Sequence, residues 1–282
     1  MIKSINYWSF PGGVEGTKRL EECFSEAKEA GFDAVELCCA ESGKLTPKTT
    51  ERQCTSIRRK AEDADIAIAA LTSSLFWGCN LASRRTADRN RAVQLTKKML
   101  QIAQWLGVDA LVFMPGAVDV YFEPEAEVVP YDVAYARAKT GIKRLLRTAE
   151  ERGVTLCIEN VWNKFLLSPL EMRDFIDGFE SQVVGACMNV GNALAYGYPE
   201  QWIRIMGKRV KRVKFKDYKR GVGVDGFCDL LAGDTDWPQV MKALKAVDYD
   251  GPCTAEIMPF NRHAPSVRLL NTSTAMDAIL AM

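Results

Sequence analysis

Five side chains invite a chemical reading before any fold is considered: Glu36, Glu159, Asn189, Lys214 and Glu256. Two carboxylates flanking one ammonium can take a proton from a carbon beside a carbonyl and return it, while the ammonium steadies the enolate charge that develops. A carboxamide among them would hold a hydroxyl. Each residue alone has a plainer reading, since a Glu at a strand end is ordinarily solvated or salt-bridged. Gathered in one apolar interior, they carry desolvation costs that structural stability alone does not offset.

That gathering depends on the elements that carry them. The chain repeats a β-rich run, a loop and an amphipathic helix. The spacing predicts strands over 2–8, 33–39, 66–73, 110–116, 155–160, 184–190, 210–217 and 251–258. Helices are predicted over 17–30, 47–64, 88–106, 131–152, 169–178, 199–207, 236–246 and 266–281. Three helix-to-strand junctions resemble one another, opening at Gly31, Gly107 and Gly153, where a left-handed cap after a helix favours glycine. Eight alternations without a linker or a composition break predict one domain over 1–282, an α/β fold of the single (β/α)8 TIM barrel type. An open doubly wound sheet competes, but it calls for a Gly-x-Gly-x-x-Gly turn after the first strand, and Pro11-Gly12-Gly13 lacks that spacing.

In a barrel, alternation sorts inward from outward side chains. Cys157 and Glu159 point inward on the fifth strand, Cys187 and Asn189 on the sixth, Arg212, Lys214 and Lys216 on the seventh, and Thr254 and Glu256 on the eighth. Glu159, Asn189, Lys214 and Glu256 therefore share one height, and Glu36 joins them from the second strand. Softer candidates surround this set. Trp162 and Asn163 follow Glu159 and could stack on and hydrogen-bond to a sugar ring, although a loop Trp more often packs. Phe76 and Trp77 have the same two readings. Lys216 and the glycine-bearing loop 218–235 could form a basic rim and a lid, or a plain connection. Asp119, Glu123, Glu125 and Glu127 read as a solvated face.

Composition excludes several functions. With 37 Lys and Arg against 36 Asp and Glu, the chain has no global field for nucleic acid or anionic membrane. No apolar run approaches a transmembrane length, and the first residues lack a signal-peptide layout, so a cytoplasmic location is expected. Nine cysteines in mostly apolar stretches, Cys38, Cys39 and Cys79 among them, read as reduced packing thiols. The sole histidine, His263, lies too far beyond the eighth strand to be assigned as a ligand.

At Ile158-Glu159-Asn160, Asn189-Val190-Gly191-Asn192, Val213-Lys214-Phe215-Lys216-Asp217, Gly233-Asp234-Thr235-Asp236-Trp237 and Ala255-Glu256-Ile257, the chain resembles the xylose isomerase-like TIM barrel superfamily. The likeness, which spans nearly the whole chain, is to the sugar phosphate isomerase and epimerase branch containing tagatose and allulose 3-epimerases. It implies carbohydrate metabolism, two glutamates that shuttle a proton on opposite faces of a ketose, and a divalent metal, Mn or Mg, held by Glu, Asp, His and Glu. Carried over, the glutamates fall on Glu159 and Glu256, the Asp on Asn189 and the His on Lys214. Asn192 stands where many epimerases have His. Apurinic endonucleases share this barrel but spread several histidines over three zinc ions, which one histidine cannot supply.

An ammonium has no lone pair for a metal. At about 4 Å and an effective dielectric near 20, it repels each unit of metal charge by about 4 kcal/mol. The reading is therefore a cofactor-free site in which Lys214 takes the cation's place, Glu159 and Glu256 form the acid–base pair, and Asn189, Glu36, Asn163, Trp162, Lys216 and Asn192 contact substrate. If a metal is present, Glu159, Asn189 and Glu256 are its ligands. The expected activity is a sugar or sugar phosphate isomerase or epimerase with a small-molecule sugar substrate and no nucleic-acid or membrane partner; a homo-oligomer is left open. The alternative is a catalytically degenerate barrel serving as a sugar-binding or partner subunit. A Schiff base on Lys214 stays open as well, but requires a neutral amine beside two carboxylates.

Overall fold

The computed structural model describes residues 1–282 apart from Tyr121, Pro124 and 259–262, together with the side chain of Val224. Among the described residues, eight parallel strands close a barrel: Ile2–Asn6, Ala34–Cys39, Ala67–Ser73, Ala110–Phe113, Thr155–Glu159, Val184–Asn189, Val210–Phe215 and Pro252–Ala255. The first strand closes the ring by pairing Ile2 with Pro252 and Ile5 with Ala255. The open-sheet alternative is thereby excluded, and the predicted single (β/α)8 barrel stands.

The helices form the outer ring for reasons visible in their sequences. Glu51–Asp63 starts at a reciprocal cap, Thr50 accepting from the Gln53 amide while Gln53 accepts from the Thr50 amide. Thr86–Leu106 buries Val93, Thr96, Leu100, Ala103 and Leu106, the face its 3.6-residue period predicts. Gly31, Gly107 and Gly153 all have positive φ, at 87°, 75° and 64°. The single helix expected over 131–152 is instead two, Tyr131–Lys143 and Leu146–Arg152, broken at Arg144 and Leu145. Predicted strands overrun at their C-terminal ends: the fourth stops at Phe113, the seventh at Phe215 and the eighth at Ala255. There the chain leaves the ladder to build loops, although the Glu256 amide still donates to Phe215 O at 3.0 Å.

Two apolar layers result. The large one lies between strands and helices. A small one, Ala70, Ala110, Val112, Cys157 and Cys187, plugs the barrel interior. All nine cysteines are free and eight are buried; burial pushes Cys38 and Cys157 up to about 12, so they stay protonated thiols. No described helix is long and apolar enough to cross a membrane.

Loop 218–235 is more ordered than a plain connection. Asp217–Tyr218 pairs antiparallel with Phe227–Cys228. The fully buried Asp217 carboxylate accepts from the amides of Leu231 and Gly233, the Thr235 hydroxyl and Trp237 Nε1. A Cβ on Gly233 would lie 2.1 Å from Asp217 Oδ1, so only glycine permits this approach. One buried carboxylate thus ties together two motifs that sequence reading quoted separately.

Candidate functional site

Lys214, fully buried on the seventh strand, directs its ammonium at three carboxylates. Its Nζ lies 2.9 Å from Glu256 Oε2, 3.1 Å from Glu159 Oε2 and 3.3 Å from Glu36 Oε1. The Trp8 ring centroid is 5.3 Å away, which adds a cation–π contact. The parity argument thus brought together the residues it named. Register does the placing: Asn189 pairs with Lys214 and Glu159 with Cys187, while a shift between Val35 and Glu36 adjusts the second strand against the third.

Secondary contacts aim each group. Asn189 Nδ2 donates to Glu159 Oε1 at 2.9 Å, and its Oδ1 accepts from the Asn192 amide at 3.1 Å. Asn160 clamps the Asn189 backbone at both N–H and carbonyl. Lys216 Nζ donates to Glu256 Oε1 at 2.8 Å, so both Glu256 oxygens are held by ammonium groups. Asn6, which sequence reading missed, donates to Glu36 Oε1 at 2.5 Å. Its signal was present: Asn6 and Ser4 share the inward parity of the first strand, and both are wholly buried. Glu36 Oε2 is buried without a partner.

The electrostatics separate the two proposed proton carriers. Burial would raise Glu256, but the Lys214 and Lys216 charges overcome it and bring its pKa down to about 2. Glu159 goes the other way: burial lifts it above the ordinary carboxyl value, and the neighbouring Glu256 and Glu36 charges add to the rise against the pull of Lys214. Burial also works against the Lys214 charge, yet Glu159, Glu256 and Glu36 outweigh it and hold the ammonium well above the usual lysine range. Three carboxylates face two ammonium groups, so one negative charge is left over unless a proton joins the cluster.

A cavity of about 410 Å³ opens onto this cluster at the C-terminal ends of the strands. Glu159, Glu256, Lys216, Asn192 and Trp162 line it. Lys214, Glu36 and Asn189 lie behind that wall, each at most 1% exposed. Lys214, expected from sequence to meet substrate, is therefore sealed beneath its carboxylate partners, and Lys216 is the lysine that reaches the cavity.

Asn163 is used elsewhere. It lies outside the cavity lining, donating to Gly116 O at 2.7 Å and accepting from the Phe165 amide. Trp162 is held by its Nε1–H on Asn192 O at 3.2 Å and tilts against Phe227 with centroids 4.7 Å apart. Phe76 and Trp77 line the wall, as does Phe122, whose ring meets Trp77 edge-on at 4.9 Å. The acidic loop is less free than expected: Asp119 pairs with Lys164 at 2.5 Å, Glu127 accepts from the Arg84 amide, and Glu123 borders the cavity. His263 is exposed and outside the lining.

The residues present do not fit a divalent ion. The space between the three carboxylates holds an ammonium, both Asn189 side-chain ends are engaged, and both Glu256 oxygens are bonded to lysines. Among the described residues, no group of three or more His, Cys, Asp or Glu is arranged to hold a metal.

A family model for the xylose isomerase-like TIM barrel matches residues 24–273. The chain belongs to that family. Its fold is similar to that of a D-psicose 3-epimerase with D-tagatose from Clostridium cellulolyticum H10, at TM-score 0.81 and 16% identity over 99% of each chain. A 3-keto-D-glucoside 4-epimerase from E. coli is similar at TM-score 0.79 and 12% identity over the full length of both. L-ribulose 3-epimerase is similar at TM-score 0.80 and 16% identity, covering 99% of this chain and 94% of that one. No curated protein matches the sequence.

Proposed function

We propose that the protein is a carbohydrate isomerase or epimerase that moves a proton on a carbon next to a carbonyl, without a metal, using Glu159 as the proton carrier. The carrying observation is the asymmetry between the two cavity-facing glutamates. Glu159 is raised above the ordinary carboxyl value by burial and by its carboxylate neighbours, which makes it the stronger base of the two. Glu256 is held charged by two lysines and is a poor base. Its part is to anchor the Lys216 ammonium, 2.8 Å away, at the cavity edge, where that charge can meet the oxygen of a developing enolate. Lys214, behind the wall, holds three carboxylates together where kindred barrels would place an ion. The raised Lys214 argues against an imine, because a Schiff base needs the free amine.

Deuterium uptake from D2O into the carbon-bound position of ketoses and keto-glycosides tests this reading. Wild type incorporates solvent deuterium, Glu159→Gln lowers the rate by about 10²–10⁴-fold, and EDTA changes nothing. One tightly bound divalent ion per chain, with activity lost on chelation, would overturn the ammonium reading. The second reading, a binding barrel without turnover, draws support from the engagement of both Glu256 oxygens. It predicts ligand binding with no exchange in any form, including an Asn189→Asp, Lys214→His double variant supplied with Mn²⁺.

A further inference from the structure

The cavity wall gathers most of its charged groups on one side of the barrel, Glu123 excepted, and a broad apolar surface on the other. Glu159, Asn192, Lys216 and Glu256 come from the fifth to eighth strands and their immediate continuations. Across the mouth, the third and fourth strands and their loops contribute Phe76, Trp77, Val112, Phe113, Met114 and Phe122. The hydroxyls on that far side do little to relieve it. Ser73 donates to Cys39 O at 2.6 Å and accepts from the Leu75 amide, so it is turned to neighbouring backbone, leaving Thr72, Ser74 and, beside Phe122, Glu123 among the described residues. Above the polar end, Trp162 and Phe227 add a second aromatic pair.

A free ketose displays hydroxyls on every side. Bound with its reacting carbon at Glu159 and Lys216, it would press hydroxyls against Val112, Phe113 and Met114, where they lose water and these side chains offer no hydrogen bond. A cavity near 400 Å³ with mostly apolar walls and a few convergent polar groups is instead the usual form of a pocket for a larger, amphipathic molecule.

We propose that the substrate is a sugar-derived carbonyl compound carrying an aromatic group, an aryl glycoside rather than a free sugar, with its sugar at the Glu159 end and its ring laid against the face that Phe76, Trp77 and Phe122 present to the cavity. Aromatic walls favour a flat ring over a branched alkyl group, because edge and face contacts of the kind Trp77 makes with Phe122 extend naturally to a third ring. Phe122, half exposed at the mouth, supplies the outer contact.

The inference rests on the proposed polar end only for the sugar's orientation, so its test reads binding alone. Glu159→Gln protein, in which turnover is slowed, is titrated calorimetrically with the phenyl and methyl β-D-glucosides oxidised to a ketone at one ring carbon, and with D-fructose. The phenyl glycoside binds about tenfold or more tighter than the methyl glycoside, the scale of burying one phenyl ring. Phe122→Ala and Trp77→Ala, each in the Glu159→Gln background, cut that ratio about fivefold or more while methyl glucoside affinity stays within about twofold. A phenyl-to-methyl ratio near one, absence of measurable phenyl glycoside binding, or a ratio that both variants leave intact overturns the proposal. A wild-type enzyme that exchanges no deuterium yet keeps the aryl preference sinks the catalytic reading and leaves this one standing.

Discussion

Arg212 and Lys214 lie two residues apart on one strand, point into the same barrel, and do opposite things. Arg212 sits at the lower end. Its guanidinium donates to Ala69 O at 3.1 Å and Lys211 O at 2.7 Å and pairs with Asp109, a carboxylate that is 77% exposed. Its partners are backbone carbonyls and one solvated acid. Lys214, at the upper end, faces three carboxylates buried with it, among them an orphaned Glu36 oxygen. Lower faces of such barrels serve stability and upper faces chemistry, and the physical distinction here is whether the charge has been balanced. The Arg212 end is closed. The Lys214 end keeps a surplus negative charge that a mobile proton can settle.

The sharpest way to break this contrast is to remove each cation. Lys214→Met strands three buried carboxylates and costs about 3–5 kcal/mol in urea unfolding at neutral pH. The loss shrinks toward pH 5 as the carboxyls protonate. Arg212→Met costs about 1–2 kcal/mol, because Asp109 returns to water and only the buried carbonyl contacts are lost. Equal losses would mean that Lys214 is a structural cation like its neighbour.

The pH dependence of stability distinguishes the two glutamates. Glu256 is depressed, so its stabilisation is complete above the unfolded carboxyl value of about 4.3 and disappears as pH falls from there to about 2. Glu159 is raised, so its folded form favours the proton, and the chain loses stability as pH rises past the unfolded value and through the higher folded one. Unfolding midpoints between pH 2 and 8 should show Glu256→Gln erasing the acid-side loss and Glu159→Gln erasing the loss that sets in as pH rises above the unfolded carboxyl value. The smallest effect concerns the rim: Lys216→Met frees one Glu256 oxygen and lowers exchange about tenfold, at a stability cost below that of Lys214→Met because Lys214 still pairs with Glu256.

Much of this site was legible in the residues. Period-two parity on the barrel strands grouped Glu159, Asn189, Lys214 and Glu256, and glycine at the helix ends marked where strands begin. Parity also identified Lys216 as inward but could not say that it, rather than Lys214, meets the cavity; that depends on how far each carboxylate reaches across the barrel. Asn163 looked like a sugar contact by its place after Glu159, yet its amide is taken by Gly116 O from the loop after the fourth strand, a partner 47 residues away. The order in loop 218–235 was hidden because Asp217 draws its donors from residues 231 to 237 across a turn.

What the sequence determined by itself was periodic: the barrel, its inward faces, and the company of acids and one lysine at a common height, because strand geometry repeats every two residues whatever the neighbours are. What only the tertiary structure decided was which of those charges is sealed and which is open, and that the opposite wall is mostly apolar. Those outcomes depend on inter-strand register and on loops from distant parts of the chain meeting over one cavity, and neither distance nor desolvation follows any local period.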